Sequence, residues 1–340
     1  MKEKSEKTKV VLSYLDDYID ALKDGRMTKL GLSRLIYQDY PEIYKDVEDV
    51  RVYVRSLTGA TNGRSVTPKP EHVFVSNQKF GNNAAIPKSK AEPARDYRIE
   101  GVKRLLVFSD VHIPYHSVES MEIMFGYVQD KNIDGILING DLLDFYGISR
   151  FDRNPTKPKI QEEIEMGKEF FMWMRQEFTC PIYFKLGNHE ERWEKYLMTK
   201  APELFGLDDF KIDKILDLEG YDISMIDSKA LIKFGKLNII HGHELGESVF
   251  SPVNPARGMF LKAKCSTLAG HNHQTSEHHE NNMNSDAMAC WSLGCLCDLR
   301  PEYRPFAFTK WNHGFAIVEL ISDEGYFMVD NKRIINGQVV

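Results

Sequence analysis

Residues 135–144, Gly-Ile-Leu-Ile-Asn-Gly-Asp-Leu-Leu-Asp, decide how this chain is read. Ile136, Leu137 and Ile138 run without alternation straight into Gly140, Asp141 and Asp144. An unbroken apolar run of this kind reads as a strand buried on both faces, and the polar residues behind it as the loop at its carboxyl end. The pattern recurs along the chain. Leu105-Leu106-Val107-Phe108 leads into Ser109-Asp110-Val111-His112, and Ile182-Tyr183-Phe184 into Lys185-Leu186-Gly187-Asn188-His189-Glu190. Farther on, Leu237-Asn238-Ile239-Ile240 ends in His241-Gly242-His243-Glu244, and Ser266-Thr267-Leu268-Ala269 in Gly270-His271-Asn272-His273. Amphipathic stretches at 118–131 and 159–178 separate the first three runs, which is the strand and helix alternation of an α/β sheet. Ligands of such sheets sit beyond the carboxyl ends of the strands, so the five polar clusters are expected to converge there.

Together the clusters supply Asp110, Asp141, Asn188 and five histidines, with His189 beside them. Hard and borderline divalent cations want this mixture of carboxylate oxygen, amide oxygen and neutral imidazole. Of eleven histidines in the chain, ten follow residue 100 and six of those lie in the clusters, a concentration that isolated structural histidines would not produce. Asp110 and His112 are two residues apart, as are His241 and His243, and His271 and His273. On an extended segment leaving a strand, that spacing sends both side chains the same way.

In order and spacing, Asp110-Val-His112, Gly140-Asp141-Leu-Leu-Asp144, Gly187-Asn188-His189-Glu190, His241-Gly242 and Gly270-His271-Asn-His273 resemble the five blocks of the calcineurin-like metallophosphoesterases. The resemblance spans roughly residues 103–320. It implies a four-layer α/β/β/α sandwich, closed by antiparallel strands from the aromatic and hydrophobic stretch 287–329. It also implies two divalent cations, with Mn²⁺ expected and Fe, Zn²⁺ or Ni²⁺ accepted by the same ligands. One would be held by Asp110, His112, Asp141 and His273, the other by Asp141, Asn188, His241 and His271, with Asp141 and a hydroxide nucleophile bridging. His189 resembles the family's catalytic histidine, and Asp144 its orienting partner. His243 is expected either to contact substrate phosphate or to stabilise its loop. Protein Ser/Thr phosphatases of the superfamily carry an arginine soon after the GDxxD block, where this chain has Phe145-Tyr146-Gly147. That argues against a phosphoprotein substrate. Arg150, Arg153 and Arg192, with His116 and Trp193, are candidate phosphate or base contacts. The stretches Ser-Arg-Phe-Asp-Arg-Asn-Pro at 149–155 and 305–320 look like those of phage and prophage phosphoesterases.

Outside the clusters, the charge is uneven. The 340 residues carry a net charge of -6, but residues 1–95 hold 17 basic against 13 acidic residues, and residues 96–340 hold 27 against 37. A chain that is acidic overall does not coat nucleic acid or anionic membrane along its length, so contacts of that kind must be local. Leu12, Leu15, Ile19 and Leu22, then Leu30, Leu32, Leu35 and Ile36, then Val47, Val50 and Val54 recur at helical spacing, with Pro41 between the last two groups. Residues 1–56 therefore read as a small α-helical module, either helix-turn-helix-like or a docking bundle. Residues 57–96, rich in Gly, Asn, Ser and Pro, read as a linker or arm, and 97–340 as the phosphoesterase domain. Arg51, Arg55, Arg64, Lys69 and Lys79 are candidate contacts for DNA or RNA.

No apolar run long enough to span a membrane and no apolar core behind the charged first residues is present, so a cytoplasmic protein is expected. Five cysteines without a framework spacing fit a reducing compartment. Cys290, Cys295 and Cys297 are expected to be small buried residues on strands, with a zinc site as the alternative. Three functions are open to the sequence: a metal-dependent phosphodiesterase or nuclease, a phosphomonoesterase acting on nucleotides or phosphoproteins, and a metal-stabilised binding module without turnover. Oligomeric state is not legible.

Overall fold

A computed structural model describes residues 5–23, 26–58, 90–91, 96–149, 159–246, 253–300 and 308–340. The chain divides into two compact units, Met1–Ala91 and Glu92–Val340. The first contains α1 (Glu6–Lys23), α2 (Lys29–Asp39) and α3 (Val47–Thr58). Thr28 caps α2 by accepting from the Gly31 N–H at 3.0 Å. The three helices close on a core of Val11, Leu15, Leu32, Ile36, Tyr44, Val50 and Val54.

The second unit begins with β1 (Asp96–Arg98), β2 (Arg104–Phe108), α4 (Val118–Val128), β3 (Gly135–Asn139), α5 (Ile160–Glu177), β4 (Ile182–Lys185), α6 (Glu191–Lys200) and α7 (Ile212–Ile215). It continues with β5 (Ile223–Ile226), β6 (Leu231–Phe234), β7 (Leu237–Ile240), α8 (Pro255–Ala263), β8 (Thr267–Ala269), β9 (Ser276–Asn281) and β10 (Ala287–Ser292), and ends in β11 (His313–Leu320), β12 (Phe327–Ile335) and β13 (Gln338–Val339). One sheet has the order β13-β12-β11-β2-β3-β4-β5, the other β1-β6-β7-β8-β10-β9. β2, β3, β4 and β5 run parallel, and β11 closes antiparallel on β2 with Ile317 opposite Leu106.

Period-two alternation explains why the apolar runs are continuous. Leu106, Phe108, Ile136, Ile138, Ile182 and Phe184 pack with Phe125 of α4 and Phe171 of α5 on one face. Their neighbours Leu105, Val107, Leu137 and Tyr183 turn to the other face and meet Ile232, Ile239, Leu268 and Trp291 of the second sheet. Behind that sheet Ile240, Ala269 and Cys290 pack on Met259 and Phe260 of α8. The result is the four-layer α/β/β/α sandwich that the sequence implied. The five expected strands are β2, β3, β4, β7 and β8, and all five polar clusters follow their carboxyl ends.

Candidate metal centre and active site

Backbone conformation at the strand ends differs from the sequence expectation. Asp110 and His112 do not share an extended segment; both are left-handed, with φ of 57° and 53°, and so are Asp141 (53°), His271 (67°) and His273 (54°). This conformation is uncommon for residues with a Cβ, and it clusters where surrounding structure holds a site in place. The side chains converge because the chain coils back at each strand end. Gly140, at φ 90°, lies where a Cβ would collide with the His241 ring, and a Cβ at Gly187 would collide with Asp141. The two glycines allow the loops after β3, β4 and β7 to close on one another.

Asp110, Asp141, His112, His241 and His273 each have one polar atom held by the protein and another left facing its neighbours. Asp110 Oδ2 accepts from Ser109 Oγ at 2.5 Å and from the His271 N–H at 2.8 Å, while its buried Oδ1 has no hydrogen-bond partner. Asp141 Oδ1 accepts from the His189 N–H at 2.9 Å, so Oδ2 alone faces both sides, 3.9 Å from His112 Nε2 and 3.3 Å from His241 Nε2. His112 Nδ1 lies 3.0 Å from Asp144 Oδ1, and His241 Nδ1 2.7 Å from the Asn139 carbonyl. His273 Nδ1 sits 3.7 Å from Cys297 Sγ. The free Nε2 atoms of His112 and His273 are 3.2 Å apart, and His273 Nε2 is 3.1 Å from Asp110 Oδ1. On the other side His241 Nε2 lies 3.3 Å from Asn188 Oδ1, and Asp141, His241 and His271 bring potential ligand atoms within 4.8 Å of one another.

Such a donor set fits two cations. Imidazoles anchored at Nδ1 turn their Nε2 atoms inward, where lone pairs at short range repel each other unless positive charge lies between them, and Asp110 Oδ1 has only the 3.1 Å approach of His273 Nε2 to meet its charge. Protons occupy the same role when cations do not. Burial opposes the charge on His241 and His273, but Asp141 and Asp110 beside them outweigh it, lifting His241 to about 10 and His273 well above the imidazole range. His271 goes down to about 4 through burial and repulsion from His241. Asp110 and Asp141 stay ionised despite burial because these histidines face them.

A second layer positions the loops. Glu190 is buried and accepts from the N–H groups of Gly187 (2.8 Å), Asp141 (2.9 Å) and Leu143 (3.0 Å), joining the loop after β4 to the one after β3. Burial and the nearby Asp141 raise it to about 7. Lys185, fully buried at the end of β4, donates to the Ser228 and Ala230 carbonyls and pairs with Glu244 Oε1 at 3.2 Å. Glu244 in turn accepts from the N–H groups of His241 and Gly242, which ties the two sheets together at the His241 loop.

At the rim, His189 Nδ1 lies 2.8 Å from the Asp144 carbonyl and 3.2 Å from Asp144 Oδ1. Arg192, which can only donate, gives Nη2 to His189 Nε2 at 2.8 Å and Nη1 to the Asp144 carbonyl at 2.7 Å. Asp144 therefore serves both His112 and His189. It stays ionised because these contacts outweigh its burial. His243 Nε2 faces Glu191 Oε1 at 3.3 Å. An open cleft of about 760 Å³ begins at Asn188, His189, His243 and His271 and continues along α6 past Arg192, Lys195, Thr199 and Lys200.

A model of the family described as calcineurin-like phosphoesterase matches residues 103–303. The chain belongs to that family. As a calcineurin-like phosphoesterase it is a metal-dependent phosphoester hydrolase. It is 27% identical to the gene 54 protein of Mycobacterium phage L5 over 227 residues, which cover 64% of this chain and 88% of the relative. With the gene 54 protein of Mycobacterium phage D29 the identity is 26% over 226 residues, covering 64% and 88%. Among solved structures, the phosphoesterase Yfce from E. coli aligns with a TM-score of 0.29 and 13% identity, covering 66% of this chain and 96% of that one.

Around the phosphoesterase site the remaining candidates separate. Trp193 does not reach the cleft: its Nε1 donates to the Phe210 carbonyl at 2.7 Å and its ring stacks on Phe145. His116 pairs in a bridge with Cys297 and is likewise absent from the cleft lining. Cys290 lies on β10, whereas Cys295 and Cys297 follow it in isolated bridges, not in strands. Cys297 with His112 and His273 forms a compact group of potential ligand atoms. Arg51 and Arg55 lie on α3, where both face Glu48, at 3.1 Å and 3.6 Å. Arg64, Lys69, Lys79, Arg150 and Arg153 lie outside the described residues, as does most of the 57–96 arm. Among the described residues no helix is long and apolar enough to cross a membrane. Lys185, Glu190 and Glu244 stand in the strand-end clusters, but residue type and spacing assign them no role; that a buried carboxylate serves backbone N–H groups is seen only in the fold.

Proposed function

We propose that the protein is a two-metal phosphodiesterase, and that its substrates are nucleic-acid phosphodiesters. The observation that carries this is the cleft, which does not end at the convergent ligands but runs on along α6. A monoester presents one organic group to a site; a diester presents two, and needs room on both sides of phosphorus. Asp110, His112, Asp141 and His273 would hold one cation, and Asp141, Asn188, His241 and His271 the other, Mn²⁺ being the ion to test first. When bound, the cations supply a water nucleophile ionised near neutral pH and neutralise the phosphoryl oxygens.

The remaining roles fall to the chain. In the neutral form His189 donates Nδ1–H to the Asp144 carbonyl and accepts at Nε2 from Arg192. Uptake of a proton at Nε2 displaces Arg192, since two donors cannot share that contact. His189 then offers an N–H to the leaving oxygen, and Asp144 stabilises the imidazolium. Proton donation of this kind is worth about 10²–10⁴-fold. The released Nη2 of Arg192, its Nη1 still held by the Asp144 carbonyl, can then donate to a phosphate oxygen. His243, held by Glu191, lines the same opening.

Initial rates with Mn²⁺ on bis-p-nitrophenyl phosphate and p-nitrophenyl phosphate test the reading. We expect the diester to have the higher kcat/KM. Preference for the monoester would overturn it.

A further inference from the structure

We infer that the cleft along α6 is a track for the unreacted phosphates of single-stranded nucleic acid, with Lys195 and Lys200 as its contacts. The inference rests on the phosphodiesterase reading and names the polymer that the site takes.

Arg192, Lys195, Thr199 and Lys200 all line the cleft, at the spacings that bring residues to one face of a helix. With a rise of about 1.5 Å per residue, Lys200 lies roughly 12 Å along the axis from Arg192. A single phosphate does not need a row that long. Lys200 is exposed, and Lys195, 66% exposed at its side chain, is held only by a surface ion pair with Glu191, which is weak enough for a phosphate to replace. Among the described residues of the lining Glu191 is the one acidic residue, and its charge is already met. It accepts from Lys195 Nζ at 2.6 Å and from Ser228 Oγ at 2.8 Å, and faces His243 Nε2 at 3.3 Å. These contacts, the one with His243 foremost, hold its carboxyl below the ordinary range. The row is thus a local cationic surface within a unit whose net charge is negative.

A flexible strand fits that geometry better than a duplex. Most of the proposed ligands are buried, Asp110, Asp141 and His241 at 1% exposed or less, while the half-buried Asn188 and His271 open onto the cleft floor. Phosphorus must therefore descend to the cleft floor while its neighbours climb out along α6. Duplex DNA, stiff over a persistence length of about 150 base pairs, resists such a turn. A single strand makes it freely, and its contacts with lysines release counterions with a salt slope of about 0.7 per phosphate.

The test compares the metal-loaded full chain with its Lys195→Gln/Lys200→Gln variant on a ten-residue oligothymidylate and on bis-p-nitrophenyl phosphate. For the variant we expect about tenfold lower kcat/KM on the oligonucleotide and a salt slope shallower by about 1.4, from two contacts. Hydrolysis of the small diester, which offers no second phosphate to the lysines, should fall far less than that of the oligonucleotide, and this also reports that the variant is folded. Equal oligonucleotide kinetics and salt slope in the two proteins would overturn the inference. So would wild-type protein that cleaves the small diester but not the oligonucleotide, or a duplex cleaved as fast as the single strand. Failure of the phosphodiesterase reading looks different: wild-type protein would cleave p-nitrophenyl phosphate and leave bis-p-nitrophenyl phosphate intact.

Discussion

The strand-end loops of the second unit and the surface of α3 in the first both present charged side chains, yet they treat them in opposite ways. At the strand ends, Asp110, His112, Asp141 and His241 each have one polar atom held by the protein and one turned toward the others. On α3, Arg51 and Arg55 face the same Glu48, and Lys7 of α1 meets Asp49 at 2.7 Å. The first arrangement stores unmet coordination capacity in a buried place. The second pairs its charges with one another, within reach of water. Charge count alone does not separate them, because the first unit has the greater excess of lysine and arginine. What marks the proposed site is the division of these four strand-end side chains into an anchored atom and a free one.

The largest effect that tests this division is expected at Asp141. Its Oδ2 faces both half-sites, so Asp141→Asn should abolish activity and lower metal content further than His112→Ala, which touches one half. The loss should exceed the roughly 10–100-fold typical of removing an outer partner of a ligand. Metal analysis of the two purified variants is the measurement. Two metals per chain in Asp141→Asn would break the bridging assignment.

Next comes His189, at the rim and outside the proposed ligand set. His189→Ala should retain both metals and lose about 10²–10⁴-fold in kcat on an ester with an alkoxide leaving group. With p-nitrophenolate, which leaves without a proton, the loss should be much smaller. A uniform loss on both would mean that His189 positions phosphate and does not protonate the leaving oxygen.

These two residues also show what the sequence could and could not reveal. Apolar runs that stop in Asp, His and Asn announced β2, β3, β4, β7 and β8 and the polar clusters that converge at their ends, because strands buried on both faces and divalent cations each demand specific residue types. The short β1, β5 and β6 were missed, with α6 and its cationic row. Of the residues in α6 only Leu197 is buried, so its apolar periodicity is nearly silent. The left-handed turns at Asp110, His112, Asp141, His271 and His273 were missed for another reason. Nothing in those residue types asks for positive φ; the surrounding loops impose it.

A smaller effect concerns a buried carboxyl that belongs to neither class. Glu163 on α5 is fully buried, and neither side-chain oxygen has a hydrogen-bond partner. Burial first, then the charge of Asp144, raises it to about 8. A carboxyl with an unfolded value of 4.5 and a folded value near 8 stays protonated in the fold while the unfolded chain has already ionised. Its contribution to stability is therefore complete below about pH 4.5 and is lost as pH rises to about 8, at up to about 1.4 kcal/mol per unit. Glu163→Gln should flatten that portion of the profile. Urea midpoints at pH 5.5 and 8.5 would show it as a difference between the two proteins that grows with pH, and parallel profiles would remove Glu163 from the account.

The smallest effect is expected on α3, and it is the one that can break the comparison. Exposed ion pairs contribute about 0.2–1 kcal/mol. Arg51→Gln/Arg55→Gln should therefore shift the urea midpoint slightly, and Glu48→Gln, which removes the shared partner, by a similar amount. If the arginines serve only Glu48, both variants bind oligothymidylate as the parent does, at low salt and high. The alternative has a distinct signature. Arginines that leave Glu48 for phosphate would lower the salt slope by about 0.7 each when replaced, and Glu48→Gln would tighten binding because it frees both guanidinium groups. Opposite signs in the two variants would turn α3 from a locally satisfied surface into a second polyanion site, and charge would then be stored there for a ligand, as coordination capacity is at the strand ends.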